Sequence, residues 1–295
     1  MFYIKYFIQN VLLTLDLIRR GQWRRIYNAV HARIYNKAYE IIFQLKAPRL
    51  RAQVSAIPAV THLEVLTEHP VAYTSPDHLI PHGTKYNNST NKKFVLLMNE
   101  FFRSRFPGER LRFMDLGCSG GQLVKDFKDL SWVSVGLEGS DYSLKHKRAN
   151  WRTLAGQNLF TCDITKPFQV KLNQANLQFH LITAWEVMEH IPSADLQALF
   201  SNIRSHLVEG GFFIASTSSA TSIVDGVELH QTRMKNAEWR QYIEDHYSDL
   251  AREDLKLKVY QYVRFDFGEP SFLVYRKAAG GRTAFDSMAQ ASRAQ

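Results

Sequence analysis

From Leu111 onward the chain repeats one pattern, a short apolar run followed by an amphipathic stretch. LRFMDL (111–116), WVSVGLE (132–138), NLFTCDI (158–164), QFHLITAW (178–185) and GGFFIASTS (210–218) read as buried strands. Gln122–Leu130, Ser140–Trp151 and Ser193–Leu207 read as the helices between them. Strands that are apolar on both faces need helices on both sides, so the alternation dictates an α/β fold around a parallel sheet. A later helix is expected over Asn236–Leu250. LKVYQYVRFDF (257–267) and SFLVYRK (271–277) flank Gly-Glu-Pro and read as an antiparallel hairpin.

Chemistry enters at the first turn of this pattern. Asp115-Leu116-Gly117-Cys118-Ser119-Gly120-Gly121 lies between a strand and a helix. Its glycines let the backbone turn tightly and approach a ligand, and the free N–H groups of the helix start favour polar or anionic groups. A tight βα turn with no ligand would look the same in this segment alone. The next strand ends in VGLEGSD and places Glu138 17 residues after Gly121. An acid there suits two ribose hydroxyls, which it would accept as hydrogen-bond donors.

In order, DLGCSGG, VGLEGSD, FTCDITKPF, FHLITAWEVMEHI and LVEGGFFIAST resemble the motifs of class I S-adenosylmethionine-dependent methyltransferases. The resemblance covers about residues 85–277. It implies a Rossmann-like, doubly wound seven-stranded sheet, mostly parallel with a C-terminal antiparallel hairpin, and S-adenosyl-L-methionine as cofactor. Asp115 and Gly117 then correspond to the residues nearest the methionine part of the cofactor, and Ser119 and Gly121 belong to the same cofactor-binding turn. Glu138 corresponds to the ribose clamp. Asp163 corresponds to the acid that accepts from the adenine amino group, with Ile164 donating its backbone N–H. Trp185 and Glu186 follow the fourth strand on the cofactor side. Trp185 would either offer its π face near the sulfonium or serve as an ordinary buried aromatic.

Methyl transfer from a sulfonium is a direct displacement, so the protein must hold nucleophile, methyl and sulfur in line. A hydroxyl acceptor also gains from a general base. The candidates are His190 in EVMEHI and His230 in VELHQTR, with Arg233 and Trp239 as acceptor contacts. Residues 69–92 read as a long loop, and His82–Asn87 within it as a lid over the cofactor. Ser89 or Thr90 would cap the helix NKKFVLLMNEFFRSRF that follows. No metal is expected, because the histidines lack HExxH spacing and neither Cys118 nor Cys162 belongs to a CxxC pair. Those two cysteines read as small residues packed near the cofactor pocket.

The formal charge of +9 invites a nucleic-acid reading, but its location argues otherwise. Residues 1–52 carry ten basic and two acidic residues, leaving the remainder nearly neutral. FYIKYFIQNVLLTLDLIRR reads as an amphipathic helix with a wide apolar face, followed by a second helix over Trp23–Leu45. Lys5 and Asp16 interrupt the first too early for a membrane span, and no small-residue cleavage site follows it. Two readings of residues 1–25 remain, an interfacial helix on an anionic membrane surface and a helix docked on the protein's own body or on a second subunit.

The expected organisation is a basic helical arm (1–52), a linker with lid loop and helix (53–110), the cofactor-binding core (111–277) and a flexible tail (278–295). The expected acceptor is an oxygen on a small molecule, sugar or glycan, in an enzyme of the cytoplasm peripherally associated with the inner face of the membrane. The rivals are a nucleic-acid methyltransferase and a non-catalytic cofactor-binding partner protein. Against the first, no Asn-Pro-Pro-Tyr-like tetrapeptide follows the fourth strand.

Overall fold

The computed structural model describes residues 23–52, 62–255, 265–266, 269–270 and 272–278. The amphipathic helix expected over residues 1–20, most of the run 257–267 and the tail beyond residue 278 lie outside the described residues. In chain order the elements are α1 (Trp23–Ala52), β1 (Leu63–Thr67), α2 (Pro76–Leu79), α3 (His82–Tyr86), α4 (Lys92–Arg105), β2 (Arg112–Leu116), α5 (Gln122–Asp129) and β3 (Val133–Glu138). Next come α6 (Tyr142–Lys145), α7 (Trp151–Leu154), β4 (Leu159–Thr161), β5 (Phe168–Leu172), β6 (Ala175–Asn176), β7 (Phe179–Trp185), α8 (Leu196–His206) and β8 (Leu207–Ser216). The last are β9 (Ile223–Val224), β10 (Val227–Glu228), α9 (Asn236–His246), β11 (Leu250–Arg252), β12 (Phe265–Asp266), β13 (Glu269–Pro270) and β14 (Phe272–Lys277).

The main sheet has seven strands in the order β11-β14-β8-β7-β2-β3-β4. The five strands from β8 to β4 run parallel, while β14 and β11 are antiparallel. This is the doubly wound, mostly parallel sheet expected. Leu250–Arg252 pairs antiparallel with β14, and of the expected hairpin the described residues show a two-residue antiparallel ladder between β12 and β13, the rest of its first strand lying outside them. The chain first winds outward from β2 through β3 to β4, then returns to β7 on the other side of β2. That reversal opens a crevice at the carboxyl ends of β2 and β7.

Alternation along the strands feeds two cores. On β8, Phe213 and Ala215 join one face with Leu199, Phe200 and Ile203 of α8, while Phe212 and Ile214 join the other with Phe94 and Phe102 of α4. Each fully buried side chain of this size stabilises by about 1.5–3 kcal/mol relative to exposure. The second face also takes Phe43 and Ala47 of α1.

Several boundaries depart from the sequence expectations. The first described helix continues past Leu45 and through Pro48 to Ala52. Pro48 removes one donor near the helix end, and Gln44, whose carbonyl loses its partner, is exposed to water. Ser140–Trp151 is not one helix. Lys147 and Ala149 adopt left-handed φ of 47° and 46°, which break it into α6 and α7. The last helix stops at His246, so that Leu250 can enter the sheet. The loop over 69–92 contains α2 and α3, and Asn91, not Ser89 or Thr90, caps α4 by accepting from Phe94 N–H at 3.0 Å. The linker holds β1, which pairs antiparallel with β5 to start a small second sheet.

Candidate active site

The turn after β2 is closed by backbone bonds to the next strand. Gly117 and Cys118 both donate to the Leu137 carbonyl, at 2.8 and 3.0 Å. Gly121 sits at φ +79°, and a Cβ there would lie 2.5 Å from Leu159 Cδ1. Gly117 sits at φ +68°, and a Cβ there would lie 2.5 Å from Val187 Cγ2. Only glycine fits both positions, so the predicted Gly-rich turn has a steric cause. Ser119 adopts φ 47° without being glycine, a strain of the kind stored at functional turns.

The two carboxylates that the resemblance assigns to the cofactor are both buried at this crevice. Asp115 faces Thr183 across the β2–β7 ladder and accepts its hydroxyl at 2.6 Å. Burial pushes the Asp115 carboxyl up to about 7, against that hydrogen bond and with a further push from Glu138. Glu138 accepts from Ser119 N–H at 2.7 Å, from Ser140 N–H at 3.3 Å and from the Thr84 hydroxyl at 3.3 Å. Burial raises its pKa despite the two backbone donors. Asp163 accepts from the Thr165 hydroxyl at 2.6 Å and its backbone N–H at 2.9 Å, and donates its own N–H to the His69 carbonyl. Ile164 is buried, and its carbonyl accepts from Asn202.

A polar cradle with two buried acids at adjacent strand ends, fed by backbone N–H groups and a tight glycine turn, fits a nucleoside with a charged amino-acid tail. Asp115, Gly117, Ser119, Gly121 and Glu138 come together there. Asp163 and Ile164 follow β4 on the same edge of the sheet. Cys118 and Cys162 are buried and free, with thiol pKa values raised by burial, that of Cys162 to about 12.

Residues 72–88 form a strap across the crevice. Ala72 N–H donates to the Gly139 carbonyl at 2.9 Å. The Ser119 hydroxyl donates to the Asn87 carbonyl at 2.7 Å, and Arg148 donates to the Thr84 carbonyl at 2.7 Å and also to that of Asn87. Beyond the strap, the buried Asp126 carboxylate of α5 holds Thr90 and Lys92 at the start of α4.

Past β7, Glu186 adopts φ +55° and accepts from the Ser216 hydroxyl at 2.7 Å. Trp185 packs edge-on against Phe94 at 5.1 Å and beside Phe272 at 5.4 Å, so its ring is built into the aromatic layer. Three titratable groups then converge. His190 Nδ1 lies 2.7 Å from Asp77 Oδ2 of the strap. Burial pulls the His190 pKa down, but Asp77 and Glu189 outweigh it and the net shift is upward. His230 stacks edge-on against His190 at 4.7 Å, and its Nδ1 lies 2.6 Å from the Ala220 carbonyl. Burial lowers the His230 pKa. Glu189 is fully buried, with one oxygen accepting from Ser218 N–H at 3.0 Å, and burial next to Glu186 pushes it up to about 8.

One donor atom from each of Glu189, His190 and His230 lies within 4.8 Å of the others, near enough together to hold a divalent cation. Sequence spacing does not announce this group, because His230 comes from a separate segment. Asp77, Arg148 and Thr183 were also missed. Thr183 follows from strand register alone, whereas Asp77 and Arg148 have no local signature. Trp239, expected near the acceptor, is fully buried in the core, and Arg233 is exposed.

Residues 88–259 match the family described as a methyltransferase domain, which is more than half of the chain. The ubiquinone biosynthesis O-methyltransferase of Brucella ovis is 28% identical over 124 residues, 42% of this chain and 47% of that protein. The same-named protein of Paramagnetospirillum magneticum is 27% identical over 118 residues, 39% of this chain and 44% of its own. The match thus spans under half the length of these relatives. Among solved structures, an S-adenosylmethionine-dependent methyltransferase from Clostridium acetobutylicum superimposes with a TM-score of 0.48 at 17% identity, over 69% of this chain and 96% of that one. A magnesium protoporphyrin IX methyltransferase from Synechocystis with bound SAH gives 0.44 at 14%, over 70% and 97%. The chain belongs to the methyltransferase-domain family.

Proposed function

We propose that this chain transfers a methyl group to a hydroxyl of a small-molecule or glycan acceptor, with His190 or His230 as general base. The convergence of Asp77, His190 and His230 at the carboxyl end of β7 carries this reading. S-adenosylmethionine supplies an electrophilic methyl on a sulfonium. The chain's own residues hold and orient. Glu138 would accept from the ribose hydroxyls, Asp163 would accept from the adenine amino group, the Ile164 N–H would donate to the adenine ring, and the Gly117–Gly121 turn would hold the amino-acid tail. Asp77 orients the His190 ring, as a carboxylate partner does for a catalytic imidazole. His230, with Nδ1 turned to the Ala220 carbonyl, keeps its other nitrogen for a proton.

The acceptor reading extends to an apolar, membrane-delivered molecule, with residues 1–25 as the contact to an anionic surface on the cytoplasmic side. No helix among the described residues is long and apolar enough to cross a membrane. The test is methyl transfer from labelled cofactor to a panel of phenolic and sugar hydroxyls. His190→Gln or His230→Gln should lower kcat by about 10²–10⁴-fold with cofactor affinity unchanged. Full activity in both variants would refute the base assignment. Transfer only to RNA would refute the acceptor class.

A further inference from the structure

We propose that α1 docks on an anionic phospholipid surface through a stripe that the described residues leave exposed. The inference rests on the membrane reading above and assigns it a different contact surface from residues 1–25. Val30, Ile34, Ile41 and Leu45 are 49%, 67%, 52% and 70% exposed. At 3.6 residues per turn they fall within about 60° of the helix circumference. The opposite side of α1 is already committed. Phe43 and Ala47 are buried in the core, and Tyr35 and Tyr39 meet Lys93 of α4. The stripe is therefore not the helix's inward face.

Charge identifies the occupant. Arg33 and Arg51 border one edge of the stripe and Arg49 the other, with Lys37 beside it, and all four are exposed. Between residues 30 and 51 the only acid is Glu40, which Lys37 engages at 2.7 Å. An apolar band edged by arginine and lysine matches acyl chains below and anionic headgroups beside it. A two-fold pairing centred on the stripe would instead bring Lys37, near its middle, against its own copy. Position supports the docking as well. Lys92 and Lys93, at the amino end of α4, pack on Phe43, Tyr35 and Tyr39 of α1. That end of α4 follows the strap directly, so α1 would seat the crevice beside the bilayer.

The experiment uses the full chain and flotation with phosphatidylcholine vesicles, with or without phosphatidylserine. The full chain is expected to float only with phosphatidylserine. Ile34→Glu/Ile41→Glu/Leu45→Glu should cut recovery at least tenfold, because its band no longer inserts, while cofactor binding is kept. If that variant misfolds, Arg33→Glu/Lys37→Glu/Arg51→Glu should cut recovery in the same way without touching the apolar residues. Recovery unchanged in these variants would overturn the inference and leave the contact to residues 1–25. A full chain that floats with neither vesicle would overturn both readings. A dimer that the apolar variant converts to monomer, with flotation unchanged, would assign the stripe to a second copy.

Discussion

The Thr84 hydroxyl donates to Glu138 Oε1 at 3.3 Å, so a strap residue holds the acid that the ribose assignment requires. A cofactor using Glu138 must displace that hydroxyl and forfeit a hydrogen bond worth about 1 kcal/mol. Thr84→Val is therefore expected to tighten cofactor binding by about fivefold, measured by calorimetry. Glu138→Ala should weaken it at least tenfold, about 1.4 kcal/mol. Weaker binding in the Thr84 variant would show that the hydroxyl assists the cofactor and does not compete with it.

Asp115 sets a pH dependence. Its carboxyl rises from an ordinary 3.8 to about 7 in the folded chain because burial penalises the charge. Between those values the folded state holds a proton that the unfolded state has lost. Its contribution to stability is thus fully kept at acid pH and falls as pH rises through about 7. Thermal unfolding without cofactor should show Asp115→Asn gaining on the wild type as pH rises from about 4 to about 7, the window between the two values. A constant difference between the two proteins across that window would refute the shift.

The glycine turn separates two kinds of crowding. Gly121→Ala meets Leu159 and a left-handed φ together, so it should lose about 1–3 kcal/mol of stability in urea unfolding. At Gly120 the atoms nearest an added Cβ belong to the Asn88 side chain of the strap, in to its own Cβ, and φ is not left-handed. Gly120→Ala should unfold like the wild type yet speed proteolysis within residues 72–88. Equal stability for both variants would remove the steric account of the turn.

The Glu189, His190 and His230 group makes a prediction about metals. Zn²⁺ should inhibit methyl transfer by occupying both imidazoles, and EDTA should restore it. His230→Gln should need at least about tenfold more Zn²⁺ to reach the same occupancy, measured by zinc binding without cofactor. Activity lost to EDTA alone would mean that a cation belongs to the working site.

The strands β2, β3, β7 and β8 were legible because each is apolar on both faces and no helix competes at that length. The carboxylates were legible because strand ends fix where Asp115 and Glu138 must sit. β1 and β5 were not, since LEVLT and FQVKL are short and only half-buried, with little period to read. The break at Lys147 and Ala149 was hidden for another reason. Local preference there favours helix, and the tertiary pull of Arg148 toward the strap carbonyls overrides it. Asp77 could not be found at all, because its partner His190 lies on a distant turn and nothing near Asp77 marks it.

β1 is zipped to β5 over five residue pairs, and α4 is clamped at its start by Asp126. The segment between them is consequently tethered at both ends. It can bow outward from the sheet but cannot swing away like a hinged door. Bowing lifts Asp77 and Thr84 together, so ligands would enter and leave both halves of the crevice through one shared motion. Exchange of the spent cofactor would then wait on the same event as release of the methylated product.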